Sequence, residues 1–221
     1  MKNSLRGHLL WILAAAALGL AASVTLSALL HWTRAAFVSG YSLSVAGFAT
    51  AYVRTTSLAL RTQLRRRWRG GILGGVLLGL ILWQRVLSQP ASNRPEGVQL
   101  ALAVMWFGLV YGTADAVLLN ILPVLIVYRS APVEQLSHPV LRLRWAGLAL
   151  IASELVTALY HVGFTEFQGY SLIQPLVGNA IITLGYLLTG SPLTPLIAHL
   201  LMHVAAVLHG MEATPQLPPH Y

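Results

Sequence analysis

The sequence predicts an all-α membrane protein, a polytopic bundle of about seven transmembrane helices with the N-terminus inside. Composition is the first reason. Hydrophobic residues make up 56% of the 221-residue chain and charged residues 9%, with a mean hydropathy of +0.69. A soluble domain carries about 25% charged residues. The second reason is that long apolar runs recur along the chain, with short arginine-bearing stretches between them. A helix that crosses the bilayer needs roughly 20 apolar residues, and seven segments meet or approach that length. One transmembrane domain spanning 1–221 accounts for the chain, with 211–221 as a tail.

The segments follow in order. Residues 9–30 form the first. This start resembles a signal peptide, with a basic leader and small residues, but its apolar run is longer than the roughly 7–15 residues of a signal core. A retained helix is therefore expected. Residues 35–53 form the second, diluted by Ser39, Ser42 and Ser44. Residues 71–87 form the third, and Gly71, Gly75 and Gly79 line one of its faces. Small residues at this spacing let helices approach closely, either within the chain or across a homodimer seam. Residues 99–128 form the fourth, long enough to tilt or to kink at Pro123. Residues 145–164, 171–188 and Leu193–His209 complete the set.

Basic residues orient such a bundle, because cytoplasmic loops are enriched in Lys and Arg. Eleven fall on one side: Lys2, Arg6, Arg54, Arg61, Arg65, Arg66, Arg67, Arg69, Arg129, Arg142 and Arg144. Three fall on the other: Arg34, Arg85 and Arg94. The N-terminus is thus expected inside. A net charge of +8 can indicate nucleic acid, but here the charge sits between apolar segments, so the partner is the lipid bilayer. The run "RTQLRRRWRG" (61–70) serves as a topology anchor and suits anionic lipid. The chain has no cysteine, which excludes disulfides, thiolate metal sites and thiol nucleophiles. High Ala, Leu and Arg without Cys point to a bacterial cytoplasmic membrane.

Polar residues inside apolar spans are costly and mark functional interiors. Here they are Asp115, Glu154, His161, Asn179, Thr183, His199, His203 and His209. All lie in the second half, so residues 1–98 are expected to be scaffold helices and 99–210 to bear a site. Glu154 and His161 are seven apart and share a helix face. His199 and His203 are four apart, the spacing that lets two imidazoles hold one metal ion. By helical rise, His161 lies roughly 10 Å above the others. A carboxylate beside a histidine can activate water, alone or with a metal. The same set also suits a proton relay or haem ligation.

Two stretches carry a family resemblance. "GYLLTGSPLTPLIAHLLMHVAAVLHG" (185–210) and "LVTALYHVGF" (155–164) resemble motif regions of the CPBP family, and "YGTADAVLLNILPVL" (111–125) lies where the family's E-E-x-x-x-R motif should be. These are the CAAX-protease and bacteriocin-processing (Abi) membrane proteins. The resemblance implies an intramembrane metal-dependent peptidase acting on a membrane-associated peptide or protein, with Zn2+ as the ion. It implies Asp115 and His161 as the water-activating pair, and His161, His199 and His203 as metal ligands. The chain departs from the family in several places. Its two glutamates become Ala114 and Asp115, its arginine falls on Leu119, its Phe is Thr157, and its final Asn or Asp is His203. Glu154 has no counterpart and stands as a substitute catalytic acid. The alternative is a non-catalytic protein, either a partner-binding relative or a haem- or metal-binding subunit.

Overall fold

The computed structural model describes residues 5–65, 67–212 and 215–217, apart from the side chains of residues 5 and 6. Lys2, Arg66 and the side chain of Arg6, which enter the charge count above, lie outside the described residues, as do 213–214 and 218–221 of the tail. Every regular element among the described residues is helical. In order they are α1 (Leu5–Ala21, continuing as a π-helix over Ala22–Leu29), α2 (Arg34–Thr56), α3 (Leu60–Arg65), α4 (Trp68–Leu87), α5 (Gly97–Ser130), α6 (Val133–Ser137), α7 (Pro139–Val162), two short 3-10 helices (Thr165–Phe167 and Gly169–Leu172), α8 (Ile173–Thr189) and α9 (Leu193–His209). Among the described residues, six helical stretches are long and apolar enough to cross a membrane: Gly7–Leu29, Arg34–Thr56, Trp68–Leu87, Gly97–Ser130, Pro139–Val162 and Gly169–Thr189. This is the pattern of an integral membrane protein. The seventh expected segment, α9, is a shorter apolar helix of 17 residues.

Local chemistry explains how polar sequence survives in these helices. In α2, Ser39 and Ser44 donate to the carbonyls of Ala35 and Gly40 at 2.7 and 2.8 Å. Each hydroxyl is thereby satisfied within its own helix, which is what a span without water requires. Thr33 caps the same helix by accepting from the Ala36 amide at 3.4 Å.

The central helix is α5, and it is irregular. π-helical stretches at Val104–Val110 and Ala116–Ile121 flank a single α-segment, Tyr111–Asp115. Pro123 sits at the start of the final α-segment, Leu122–Ser130. It has no N–H to give the Leu119 carbonyl four residues earlier. Ser153 of α7 donates to that carbonyl instead, at 2.5 Å. The π-turn also reorients Asn120. Five residues on an α-helix advance the face by about 140°, whereas π-helical bonds run from i to i+5. Asp115 and Asn120 consequently both meet α9.

Helix α9 is seated between α4 and α5. Gly71, Gly75 and Gly79 are all buried. A Cβ at Gly75 would lie 2.8 Å from Ile197 Cβ, and one at Gly79 would lie 2.9 Å from Leu201 Cβ. On the other side, a Cβ at Gly108 would lie 2.9 Å from Val204 Cγ2, and one at Gly112 would lie 3.1 Å from His203 Cδ2. The glycine face of α4 is therefore the seat of α9 within the same chain, and a homodimer seam through Gly71, Gly75 and Gly79 would have to displace it.

Replacing Gly75 with Ala is expected to destabilise the protein in detergent by about 1–3 kcal/mol, the usual cost of overpacking. Gly70→Ala, whose added Cβ meets nothing within 4 Å, is expected to be neutral or slightly stabilising. Equal thermal unfolding of the two variants contradicts this seating.

Candidate metal centre

Helices α5 and α9 bring Asp115, His199 and His203 together, all buried, with one ligand atom from each lying within 4.8 Å of the others. These three residues can hold a metal ion. His203 Nε2 stands 3.2 Å from Asp115 Oδ2. That is ion-pair distance, but the ring is not aligned for a hydrogen bond, and neither of its nitrogens has a hydrogen-bond partner. The two imidazoles stack with centroids 5.8 Å apart and 17° between their planes. The other oxygen of Asp115, Oδ1, accepts from the Tyr41 hydroxyl at 2.9 Å. His199 Nε2 donates to Asn120 Oδ1 at 2.7 Å, while His199 Nδ1 is buried without a partner.

Behind His199 runs a polar network across α5, α7 and α8. Asn120 Nδ2 donates to Asn179 Oδ1 at 2.8 Å and to Thr183 Oγ1 at 2.7 Å. Asn179 Nδ2 donates to Ser153 Oγ at 2.9 Å and to Glu154 Oε1 at 2.8 Å. Ser153 and Thr183 hydroxyls are 2.8 Å apart. Every polar group of Asn120 and Asn179 is thus used, which is how a polar cluster is tolerated in an apolar interior.

Around Asp115 and His203 stands an aromatic wall. Tyr41, Tyr111 and Tyr160 are buried. Tyr41 stacks on Tyr160 at 5.0 Å, the edge of Tyr111 meets His203 at 4.8 Å, and the hydroxyls of Tyr111 and Tyr160 are 2.8 Å apart. Beyond the cluster lies a cavity of about 520 Å³, lined by Asp115, His161, Asn179, His199 and His203 together with apolar side chains of α4 and α8. Its size falls in the range of about 300–1,000 Å³ typical of ligand pockets. Ile81, Ile173 and Val177 on its flank are 60%, 54% and 53% exposed, so the wall between α4 and α8 is also outer surface of the bundle. Arg85, Gln89 and Gln216 lie along its lining as well.

The predicted residues separate into distinct positions. Asp115, His199 and His203 converge. His161, expected among the metal ligands, is not in that group. It lines the same cavity, and its Nδ1 donates to the Thr157 carbonyl at 2.8 Å. Glu154 shares a helix face with His161 but bonds Asn179 instead. His209 donates to the Gln89 carbonyl at 2.8 Å, a contact between helix ends. Tyr41, from the half expected to be scaffold, touches Asp115 directly. Asn120 and Ser153 are also essential to the arrangement, yet neither stands out by spacing. An amide in an apolar run is the signal that marks Asn120, whereas tyrosines and serines are common in spans and mark nothing by themselves.

Tyr41→Phe removes a donor from a buried carboxylate and is expected to cost about 1–3 kcal/mol in detergent unfolding. An unchanged midpoint rules out the Tyr41–Asp115 bond.

Searches of family models, of curated proteins and of solved structures find no match to the chain.

Proposed function

We propose that the protein is an intramembrane metal-dependent peptidase of the CPBP type, with a zinc ion held by Asp115, His199 and His203. The observation that carries this reading is the set of orphaned donors. Three imidazole nitrogens, on His199 and His203, are buried without hydrogen-bond partners, beside a carboxylate and within 4.8 Å ligand spacing. A buried polar atom left unsatisfied costs about 1–3 kcal/mol, and a cation shared by the three side chains would take up one nitrogen from each histidine, two of the three. Two histidines and one carboxylate are a three-ligand set of the kind catalytic zinc sites use. The stacked rings favour a compact ion over haem, which takes axial ligands from facing helices.

When bound, such an ion supplies an acidified water and polarises a carbonyl. The chain's own residues supply the rest. Tyr41 holds one oxygen of Asp115 and leaves the other toward His203. His161 spends its Nδ1–H on the Thr157 carbonyl, so its Nε2 carries the lone pair and suits a general base at the cavity wall. The resemblance pairs Asp115 with His161, and the shared cavity supports that pairing with Asp115 as ligand and His161 as base. The apolar flank between α4 and α8 suits a membrane-associated peptide. With the N-terminus inside, α9 is the seventh crossing. Its 17 residues rise about 26 Å, and a short span of this kind is accommodated by local thinning. Arg85 and Gln89, at the end of α4 along the cavity lining, then lie toward the outer side of a bacterial cytoplasmic membrane.

Purified full-length protein is expected to retain about one zinc per chain. His199→Ala together with His203→Ala should lose the metal and abolish cleavage of native membrane peptides. Zinc-free wild type, or undiminished cleavage by the double variant, overturns the reading.

A further inference from the structure

The hydrogen-bond network behind His199 has a direction, and two groups at its far end decide it. The Leu119 carbonyl cannot donate, so Ser153 must donate to it. Glu154 Oε1 accepts from Asn179, and when ionised this side chain has no proton to give. Both conditions turn the NH2 of Asn179 toward α7, where it donates to Ser153 Oγ and to Glu154 Oε1. The remaining oxygen of Asn179 faces Asn120 and takes one of its protons, and Thr183 Oγ1 takes the other. Asn120 therefore presents its oxygen, and only its oxygen, to His199 Nε2 at 2.7 Å.

We infer that Ser153 and Glu154 are positioning residues which, through Asn179 and Asn120, set the tautomer of His199. The proton is held on Nε2 and the lone pair on Nδ1. A neutral imidazole offers one lone pair, and the hydrogen bond at the opposite nitrogen decides which nitrogen carries it. Reversing the network would turn the NH2 of Asn120 toward Nε2 and put the proton on Nδ1. The one nitrogen free of the network would then have nothing to give a metal ion. Glu154 thus acts two amide side chains away from the cluster. The consequence for metal binding rests on the zinc-site reading, but the tautomer itself does not.

The test is nitrogen NMR on 15N-histidine-labelled full-length protein in detergent, without added metal. His199 is assigned by difference from His199→Gln. Wild type is expected to show His199 neutral with Nε2 protonated and Nδ1 bare. Glu154→Gln keeps an acceptor and should retain this tautomer. Ser153→Ala combined with Glu154→Gln removes both deciding groups and should give a mixture. His199 protonated on Nδ1 in the wild type overturns the inference without reference to any variant, and so does an unmixed Nε2 tautomer in a folded double variant. Zinc uptake is measured on the same samples. Wild type with the Nε2 tautomer but no zinc defeats the metal reading alone, and zinc binding with an Nδ1-protonated His199 defeats this inference alone.

Discussion

Glycines on α4 and α5 let α9 approach so closely that a Cβ at these positions would crowd its side chains. At Gly75 the place of a Cβ is 2.8 Å from Ile197, and at Gly112 it is 3.1 Å from the ring of His203. In a bilayer, apolar side chains gain little by leaving lipid, so helices associate through close packing and hydrogen bonds. The two-sided seat therefore fixes α9 despite its 17 residues. It also fixes His199 and His203, because both project from that helix toward α5. Without this seat the residues of the cluster would share a sequence but not a location.

The second constraint is that backbone groups in a membrane must find partners inside the protein. Pro123 breaks this rule locally by withholding an N–H, and the structure answers with a π-turn and with Ser153. The repair has a consequence for the polar cluster. The π-turn rotates Asn120 toward α9, and the bond from Ser153 to Leu119 gives the amide network its direction. A helix irregularity that looks like damage thus sets the geometry of the site, in line with the frequent occurrence of π-turns at functional positions.

The cluster and the cavity make a coherent chemical unit. The three side chains that could hold a metal ion line the cavity together with His161, and part of its apolar flank is outer surface. The tyrosines isolate Asp115 from lipid while giving it one donor. Such an environment strengthens electrostatic interactions, since little water competes.

Much of this was legible in one dimension. Apolar run length and the scarcity of charge are properties of the chain alone, and they decide that it forms membrane helices. The cost of a polar group in lipid singles out Asp115, Glu154, His161, His199 and His203 just as directly, because that cost does not depend on neighbours. Which of these meet depends on neighbours entirely. Heptad spacing puts Glu154 and His161 on one face, yet α8 draws Glu154 to Asn179 while His161 turns back on its own helix. The i, i+4 spacing of His199 and His203 survives folding because it is internal to a helix. Their third partner, the contribution of Tyr41 and the role of Asn120 come from helix packing and from a π-turn, and no periodicity records either one.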